Sequence, residues 1–470
     1  MIMFIRAGGM PASMMLGAIF AAGIVATPPE PASAQTFVEA LATAYSTNPT
    51  LLARRARLRQ QDEAVPQALA NWRPRVTAAA TKGIQETETE SRVGSTTSTT
   101  TVDREPFTAQ LSVTQPIYRG GRTMSATRSA ENNVLAERAR LASAEQSVLV
   151  DAATSYMDVV RDEATLELNI NNEQRLMRQL EAAQDRFRVG EITRTDVAQA
   201  ESRLAQATAA RIGAEGQLAI SRATFRRVMG EFPGTLTPPP RVQRLPQSRE
   251  DAQTQSGNNN PNVIAAEYAE LAARQDVRTV GGELLPEVNL TGDMTRSEDS
   301  SATVSTQRTD TRSLTARVTM PLYEAGSITS RYRAAQQALG QRRNEVDEAR
   351  RLAVEQGTRA FEQYETARAR FESFSQVIAA AEIALDGVQQ EASVGSRTVL
   401  DVLDAEQELL TAQVNQVQAA RDEFVATYQL MAAVGRFTAA DLELPVDPYD
   451  AEAYYKRVRN KWWGLSINGN

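Results

Sequence analysis

Cysteine and histidine are both missing from this chain of 470 residues. Without cysteine we expect no disulfide, no thiolate metal ligand and no cysteine that carries a lipid. Without histidine, serine–histidine and cysteine–histidine nucleophile pairs and the usual zinc sites are excluded as well. Carboxylate chemistry stays open, but these absences make an enzyme a minority hypothesis, and we expect neither a metal nor a cofactor.

Strong positive charge and long apolar runs are also lacking. The net charge is −7 and the pI is near 5.2, so we expect no nucleic-acid partner. An apolar run at residues 12–27 is 16 residues long, shorter than the roughly 20 that a membrane-spanning helix needs. It follows Arg6 and precedes an A-x-A site at residues 32–34, so residues 1–34 are predicted to be a secretory signal peptide.

The rest of the chain contains an internal duplication. Asn48 and Asn260 match at an offset of 212 residues, and Gly190 and Gly395 match at an offset of 205. A stretch rich in proline, asparagine and polar residues separates the two copies and is typical of a linker. The predicted parts are a first repeat at 35–235, a linker at 236–260, a second repeat at 261–444 and a tail at 445–470.

Each repeat contains a long stretch that favours a helix. Residues 122–189 include neither glycine nor proline, which predicts a helix of roughly 68 residues, about 100 Å long. A Val-Gly break then turns the chain back, so helical hairpins are predicted at about 119–230 and about 326–435. A seven-residue apolar period predicts antiparallel packing, with Leu149, Tyr156, Ile170 and Met177 on one line and Ala152, Val159, Leu166, Leu180 and Phe187 on the next.

The shorter part of each repeat alternates between apolar and polar residues, which predicts strands with two different faces. Strand hairpins are predicted at about 75–115 and about 287–320, with polar, Ser/Thr-rich solvated loops between paired strands. The apolar positions include Phe107, Ala109, Leu111, Val113, Leu314, Ala316, Val318 and Met320. The apolar face could be covered by the protein itself, or it could meet lipid while the polar face lines a lumen.

Four strands are too few to close a membrane barrel, which needs at least about eight. One chain therefore cannot close, whereas three chains would supply twelve strands and twelve long helical segments beneath them. The count predicts a homotrimer.

The duplicated order of N-P, strand hairpin, P-[IL]-Y-x-[GA]-G, long helix and V-G-x-x-T-x-x-D-V resembles the TolC-like outer-membrane efflux proteins. The resemblance covers residues 35–444, and VGSRTVLDVLDAEQEL at 394–409 is its most specific part. It implies a fold that is mainly α with a membrane β part: a homotrimeric 12-stranded outer-membrane β-barrel, continued by a long α-helical barrel across the periplasm. Trp462 and Trp463 lie in the tail beyond the resemblance and are unexplained.

The resemblance also implies a function and partners. The trimer would be a passive exit channel in contact with outer-membrane lipid, gated at its periplasmic helical tip, and docked on a periplasmic adaptor protein and an inner-membrane pump. Its substrates would be drugs, other small molecules or proteins of type I secretion. The alternative is a secreted periplasmic coiled-coil structural or adaptor protein, which would share the long helices but has no reason to carry two half-apolar strand hairpins.

Four residues are predicted to form the tips of the helical hairpins. Gly190 and Gly395 are expected in turn conformations that other residues disfavour. Val189 and Val394 beside them are candidate adaptor contacts, although a valine that closes a helical hairpin needs no partner to explain it.

Two aspartates follow the second tip. Thr398 and Asp401 have the spacing of a capping box, as do Thr193 and Asp196 in the first repeat, and capping alone could explain both aspartates. Asp404 lies one turn further on, where no cap needs it. In a trimer Asp404, with Asp401, would form carboxylate rings that select cations; the alternative is a solvated helix face. As a catalytic pair the two aspartates would lack a pocket.

The resemblance further implies closing contacts among Thr195, Asp196 and Arg397. The tyrosine expected three residues before the second tip glycine is Ala392 here, so one contact of the closed state is missing. Arg397 could instead be an ordinary exposed charge.

Overall fold

The computed structural model describes residues 36–239, 245–299 and 307–467, so the predicted signal peptide lies outside the described residues. None of the helices in these ranges is long and apolar enough to cross a membrane. The helices are α1 Phe37–Thr47, α2 Pro49–Asp62, α3 Ala64–Leu69, α4 Arg122–Arg188, α5 Arg194–Met229, α6 Arg249–Asn259, α7 Pro261–Gly281, α8 Ser327–Ser393, α9 Val399–Ala433 and α10 Ala453–Val458, with 3₁₀ turns at Ala70–Trp72 and Gly282–Leu284. The strands are β1 Arg75–Lys82, β2 Gln85–Val93, β3 Thr96–Arg104, β4 Phe107–Arg119, β5 Glu287–Asp299 and β6 Gln307–Thr319.

The first long helix agrees with its prediction to within a residue, and the second repeat contains a helix of the same length. Both α4 and α8 contain 67 residues, and their first residues lie 205 positions apart. Each begins after a glycine in the left-handed conformation, Gly121 with φ of +74° and Gly326 with φ of +82°. Because a residue with a side chain disfavours positive φ, these glycines allow the chain to turn sharply from strand into helix.

The N-P motif of each repeat joins two shorter helices end to end. Asn48 accepts a hydrogen bond from Thr50 N and so caps α2, while its Nδ2 donates to the carbonyl of Val228 at 3.0 Å. Asn260 caps α7 in the same way and donates to Ala433 O at 3.4 Å. Each asparagine therefore ties the junction of two helices to the end of a third, so that α1, α2 and α5 form one helical column and α6, α7 and α9 form another.

Four helical columns lie side by side. Within the described residues, α4 packs against both composite columns, and the main packing partners of α8 are α6, α7 and α9. The order is thus α1–α2–α5, then α4, then α6–α7–α9, then α8. Most of α8 is exposed; the buried residues described for it are Ile328, Ala353, Gly357, Ala360 and Ala367. The α8 column is therefore an open edge of the helical layer.

The predicted linker at 236–260 is not structureless, because the helix α6 occupies residues 249–259. The hydroxyl of Ser248 caps this helix by accepting from Asp251 N at 3.1 Å. Ala252 and Ser256 are fully buried, and a Cβ on Gly357 of α8 would stand 2.2 Å from Ser256 Oγ. The composition of α6 is typical of a loop. Its small residues Ala252 and Ser256, facing Gly357, nevertheless allow α6 and α8 to approach closely.

The predicted apolar seam of α4 was wrong for the half near the tip. Tyr156 and Val159 are fully buried, whereas Met177 is 55% and Phe187 43% exposed. A different line of nine residues at seven-residue spacing is buried along the helix: Thr127, Val134, Leu141, Val148, Ser155, Asp162, Asn169, Leu176 and Ala183. Four of the nine are polar, and an apolar pattern cannot detect them. Hydrogen bonds to carbonyls three or four residues earlier satisfy Thr127, Ser155 and Asn169 in place. Asp162 accepts from Arg161 at one carboxylate oxygen, and its other oxygen is buried without a hydrogen-bond partner among the described residues.

The strands β1, β4, β5 and β6 form an antiparallel sheet in the order β1-β4-β5-β6. One row of its apolar face consists of Val76, Val113, Gly292 and Leu314. The adjoining row of its polar face consists of Arg75, Thr114, Thr291 and Thr315. On the apolar face Leu314 is 76% and Val318 66% exposed, so the protein does not cover this face and the alternative of a self-buried sheet was wrong.

The predicted solvated loop of the first strand hairpin was also wrong. Residues 85–104 form the β2–β3 hairpin, which turns at Gly94 with φ of +67° and continues the β1–β4 ribbon outward. Cross-strand pairs such as Thr89 with Thr100 run along it. Threonine is β-branched and favours strands, so its density here indicates a strand as much as a loop. The corresponding segment of the second hairpin, 300–306, lies outside the described residues.

Candidate functional site at the helical hairpin tips

The two helical hairpins end in the same kind of turn. Gly190 has φ of +80° and Gly395 has φ of +82°. In the first turn Gly190 N donates to Phe187 O and Glu191 N donates to Arg186 O, both at 3.0 Å. The second turn repeats both bonds at the equivalent positions. This pair of bonds is the Schellman motif, which needs a left-handed residue at the position that each glycine occupies.

The valines before these glycines project from the tips. Val189 is 79% and Val394 80% exposed. An apolar side chain this exposed contributes little hydrophobic free energy to the folding of its own chain, because it buries little surface. The geometry therefore leaves both valines accessible to a partner.

The helices that follow the tips start with complete capping boxes. Asp196 accepts from Thr193 N at 2.8 Å, and the Thr193 hydroxyl accepts from Asp196 N. Likewise, Asp401 accepts from Thr398 N at 2.9 Å, and the Thr398 hydroxyl accepts from Asp401 N at 3.3 Å. The backbone hydrogen bond lowers the pKa of each aspartate. The capping prediction is confirmed, so both carboxylates have a structural role whatever else they do.

Asp404 is different, because its carboxylate pairs with the guanidinium of Arg203 in α5. The side chain of Asp404 is 57% exposed and that of Arg203 is 29% exposed. Sequence reasoning missed Arg203, since the position equivalent to it in the second repeat is Glu408 and gives no signal. The pair links the first helical hairpin to the second.

An apolar contact of three helices lies beside this pair. Leu176 of α4, Ala207 of α5 and Leu403 of α9 form a small buried cluster. Leu403 is only 2% exposed, so α9 buries one residue against its neighbours and presents the next, Asp404, to Arg203. This packing sets the distance between the two hairpins near their tips.

Arg397 pairs within its own hairpin. Its Nε lies 2.9 Å from an oxygen of Glu391. Among residues 36–239, 245–299 and 307–467 of one chain, no hydrogen bond or ion pair joins Arg397 to Thr195 or Asp196. The predicted closing contacts are thus not brought together within a single protomer.

The charges at the two tips are arranged in opposite senses. In the first hairpin Arg186 precedes the turn and pairs with Glu191 beyond it. In the second, Glu391 precedes the turn and pairs with Arg397. Arg186 and Glu391 occupy equivalent repeat positions, so the two tips place opposite charges on equivalent faces. The part of the chain that the structure describes contains no cluster of acidic, histidine or cysteine side chains suited to a metal.

Three features indicate the class of outer-membrane channel subunits: the paired helical columns, the uncovered apolar face of the sheet and the capped tips. The sequence profile of the family described as "Outer membrane efflux protein" matches residues 40–231 and 254–436. The chain belongs to the outer membrane efflux protein family, and its place is the outer membrane with an extension into the periplasm.

Individual relatives agree with this assignment. The chain is 36% identical over 452 residues to the outer membrane efflux protein BepC of Brucella suis biovar 1, and the match covers 96% of each protein. It is 24% identical to the outer membrane protein TolC of Vibrio cholerae, over 87% of this chain and 92% of that one. The structure of the Campylobacter jejuni CmeC outer membrane channel matches with a TM-score of 0.76 at 13% identity, over 90% of this chain and 89% of that one, a likeness of fold. The resemblance to TolC-like efflux proteins is confirmed, as is a fold that is mainly α with a smaller β part.

Proposed function

We propose that three copies of this chain form one passive exit channel, a 12-stranded β-barrel in the outer membrane continued by an α-helical barrel in the periplasm. The observation that carries the proposal concerns the order of the elements across the protomer. The strands of the sheet and the helical columns below them follow one another from edge to edge in the same order. The strand β1 follows the α1–α2 column at one edge, and β6 leads into α8 at the opposite edge. Closing the sheet on a neighbour therefore closes the helical layer at the same time.

Both edges carry the groups that a neighbour would cover. In a bilayer each unpaired backbone group of an edge strand costs several kcal/mol, so β1 and β6 need partner strands. Below the sheet, Leu352 and Ile383 of α8 are 48% and 77% exposed. A neighbouring copy that pairs its β1 with this β6 would also bring its α5 to this α8. A secreted coiled-coil protein would have no use for the sheet.

The tips would then surround the narrow end of the channel. Three copies of Asp404, with Asp401 close by, would place carboxylates around the pore and favour cations. Thr195, Asp196 and Arg397 would make the closing contacts between hairpins that a single protomer lacks. The Arg203–Asp404 pair would hold the two hairpins of each protomer together.

The exposed tip residues would bind the periplasmic adaptor. Val189, Gly190, Val394 and Gly395 form the apolar ends of the hairpins, and such ends suit a groove between helices of a partner. An inner-membrane pump would supply the energy for export through this passive channel. The cargo would be a small molecule or a secreted protein.

Disulfide cross-linking tests the trimer directly, because the chain has no cysteine of its own. Ala79→Cys on β1 is combined in turn with Thr309→Cys, Thr311→Cys and Ser313→Cys on β6, all on the polar face. We expect one combination to give covalent dimers and trimers under oxidation. Ala79→Cys with Asn289→Cys on the interior strand β5 is the control and should give none. A soluble monomer without cross-links would reject the channel.

Adaptor docking is tested with Val189→Asp and Val394→Asp, scored by cross-linking to the adaptor in cells. We expect loss of the adaptor contact while the trimer persists. Met177→Asp is the control, because Met177 is an exposed apolar residue on α4, a helix that lies between two columns of its own chain and not at an edge. Retention of the contact in both valine variants would place the docking surface elsewhere.

A further inference from the structure

The tail beyond the second repeat is attached to the first repeat by specific contacts. The hydroxyl of Tyr454 in α10 donates to Glu63 at 2.7 Å. Arg459 pairs with Glu131 of α4 at 2.9 Å. These contacts hold the tail along α2 and α4 and direct its end toward the sheet.

The end of the tail lies where the helices give way to strands. Arg73, two residues before β1, donates to the carbonyl of Lys461 at 2.6 Å. The guanidinium carbon of Arg73 is 4.9 Å from the centroid of the Trp462 ring. The carbonyl of Trp72 accepts from Gln115 of β4 at 2.8 Å. The chain has only three tryptophans, and Trp72, Trp462 and Trp463 all lie at this one level.

Four large apolar side chains at the end of the tail are left uncovered. Trp462 is 68%, Trp463 91%, Leu465 102% and Ile467 74% exposed. A single exposed apolar residue would need no explanation. Here four such residues within six positions, two of them tryptophans, are exposed together. A contiguous exposed apolar cluster marks an interaction surface.

We propose that residues 461–467, the tail anchor, insert into the headgroup region of the inner leaflet of the outer membrane. The inference rests on the proposed insertion of the sheet into that membrane. The base of β1 is then the membrane surface, because the apolar face starts at Val76, four residues after Trp72. Tryptophan and tyrosine concentrate at this depth, since their rings have an apolar body and a polar edge.

The charge of the tail favours phospholipid over a second copy of the chain. Lys456, Arg457, Arg459 and Lys461 lie within six residues, and residues 453–467 contain no aspartate or glutamate. Lys456 pairs with Glu452 and Arg459 with Glu131, whereas no ion pair within the described residues neutralises Arg457 or Lys461. A basic segment beside exposed aromatic residues is attracted to anionic headgroups. The tail anchor would thus give each subunit a contact with lipid outside the barrel wall and fix the depth of the subunit in the membrane.

Tryptophan fluorescence tests the anchor in the reconstituted full-length trimer. The Trp72→Phe variant reports on Trp462 and Trp463 alone, and the Trp462→Phe/Trp463→Phe variant reports on Trp72. Vesicles of phosphatidylethanolamine and phosphatidylglycerol carry bromine either near the headgroup end or at the end of the acyl chain. We expect strong quenching of Trp462 and Trp463 by the shallow bromines and weaker quenching by the deep ones.

Three results would overturn the inference. Quenching by aqueous iodide but not by brominated lipid, in trimers that float with the vesicles, would place the tail in water and leave the channel proposal intact. Protection from both quenchers would place it against another copy of the chain. Failure to form trimers or to float with vesicles would remove the anchor together with the proposed channel.

Discussion

The guanidinium of Arg203 in α5 pairs with the carboxylate of Asp404 in α9, which joins the first helical hairpin to the second near their tips. The two residues belong to different repeats and are 201 positions apart in the chain. A partly exposed pair of this kind contributes only about 0.2–1 kcal/mol to stability. Its larger effect is on charge, because it neutralises the carboxylate that we place at the pore.

Arg203→Gln should therefore make the channel more cation-selective. Each protomer would expose one more negative charge at the narrow end, and the reversal potential in a planar bilayer under a salt gradient would move toward that of the cation. Asp404→Asn should move it the opposite way. Arg222→Gln, on the same helix but paired with Glu163, is the control. Equal shifts in the Arg203 and Arg222 variants would mean that net charge alone matters.

Thr398→Ala should loosen the start of α9 without unfolding the protein. Loss of an N-cap threonine costs about 1 kcal/mol of local helix stability, and the Asp401 carboxylate would lose its hydroxyl donor. Hydrogen exchange of the amides at 399–402 should accelerate, while the melting temperature stays within error. Thr411→Ala, an exposed threonine inside α9, should change neither. Unchanged exchange in Thr398→Ala would contradict the capping role.

The low pKa of Asp401 adds a pH dependence to this cap. Its folded pKa lies below the unfolded value of 3.8, so the stabilisation is present above the unfolded pKa and is lost as the pH falls through the folded pKa. The protection factors of the amides at 399–402, which are corrected for the slower intrinsic exchange in acid, should thus fall as the pH is lowered. The Thr398→Ala variant should show a smaller fall.

A double-mutant cycle tests the proposed closing contact between Asp196 and Arg397. Asp196→Asn and Arg397→Gln should each increase channel conductance, and together they should do little more than either alone, because they break the same contact. Glu391→Gln serves as control, since it removes the partner of Arg397 within its own hairpin. Full additivity of the first two would show that Arg397 acts only as an exposed charge.

Gly357→Ala should destabilise the packing of α6 on α8. Its Cβ would stand 2.2 Å from Ser256 Oγ, and overpacking of this kind costs about 1–3 kcal/mol. Gly340→Ala is the matched control in the same helix, because its Cβ meets no atom within 4 Å; it should stabilise by about 0.5–1 kcal/mol. The test is thermal unfolding followed by circular dichroism. Equal effects of the two substitutions would refute the close approach.

Asp62 should make stability fall as the pH rises toward neutrality. Burial raises its pKa to about 6, so the folded protein keeps a proton that the unfolded chain releases above about pH 4. The folded state then binds more protons in this window, and its stability decreases with rising pH. Asp62→Asn should reduce the pH dependence of the melting temperature between about pH 4 and pH 6. Asp347→Asn, at an exposed site, should leave that pH dependence unchanged.

Several features of this protein follow from neighbouring residues alone. The end of α4 was predictable because a chain of helix formers without glycine or proline continues as a helix until a Val-Gly turn. The helix α8 ends at the equivalent turn, although it contains three glycines of its own. The capping boxes at Thr193 and Thr398 were equally predictable, since the bonded groups are three residues apart. The faces of the strands followed from alternation for the same reason.

Other features needed contacts between distant segments. The helix α6 has the composition of a loop and is stabilised where Ser256 meets Gly357. The seam of α4 runs through Asp162 and Asn169, which no apolar pattern marks. Arg203 acquires its role from Asp404, across two helices. Local hydrogen bonds and periodicity therefore determined the elements and the tips, whereas packing determined which polar and small residues are buried and which charges meet, because those energies depend on partners that are close in space but far apart in the chain.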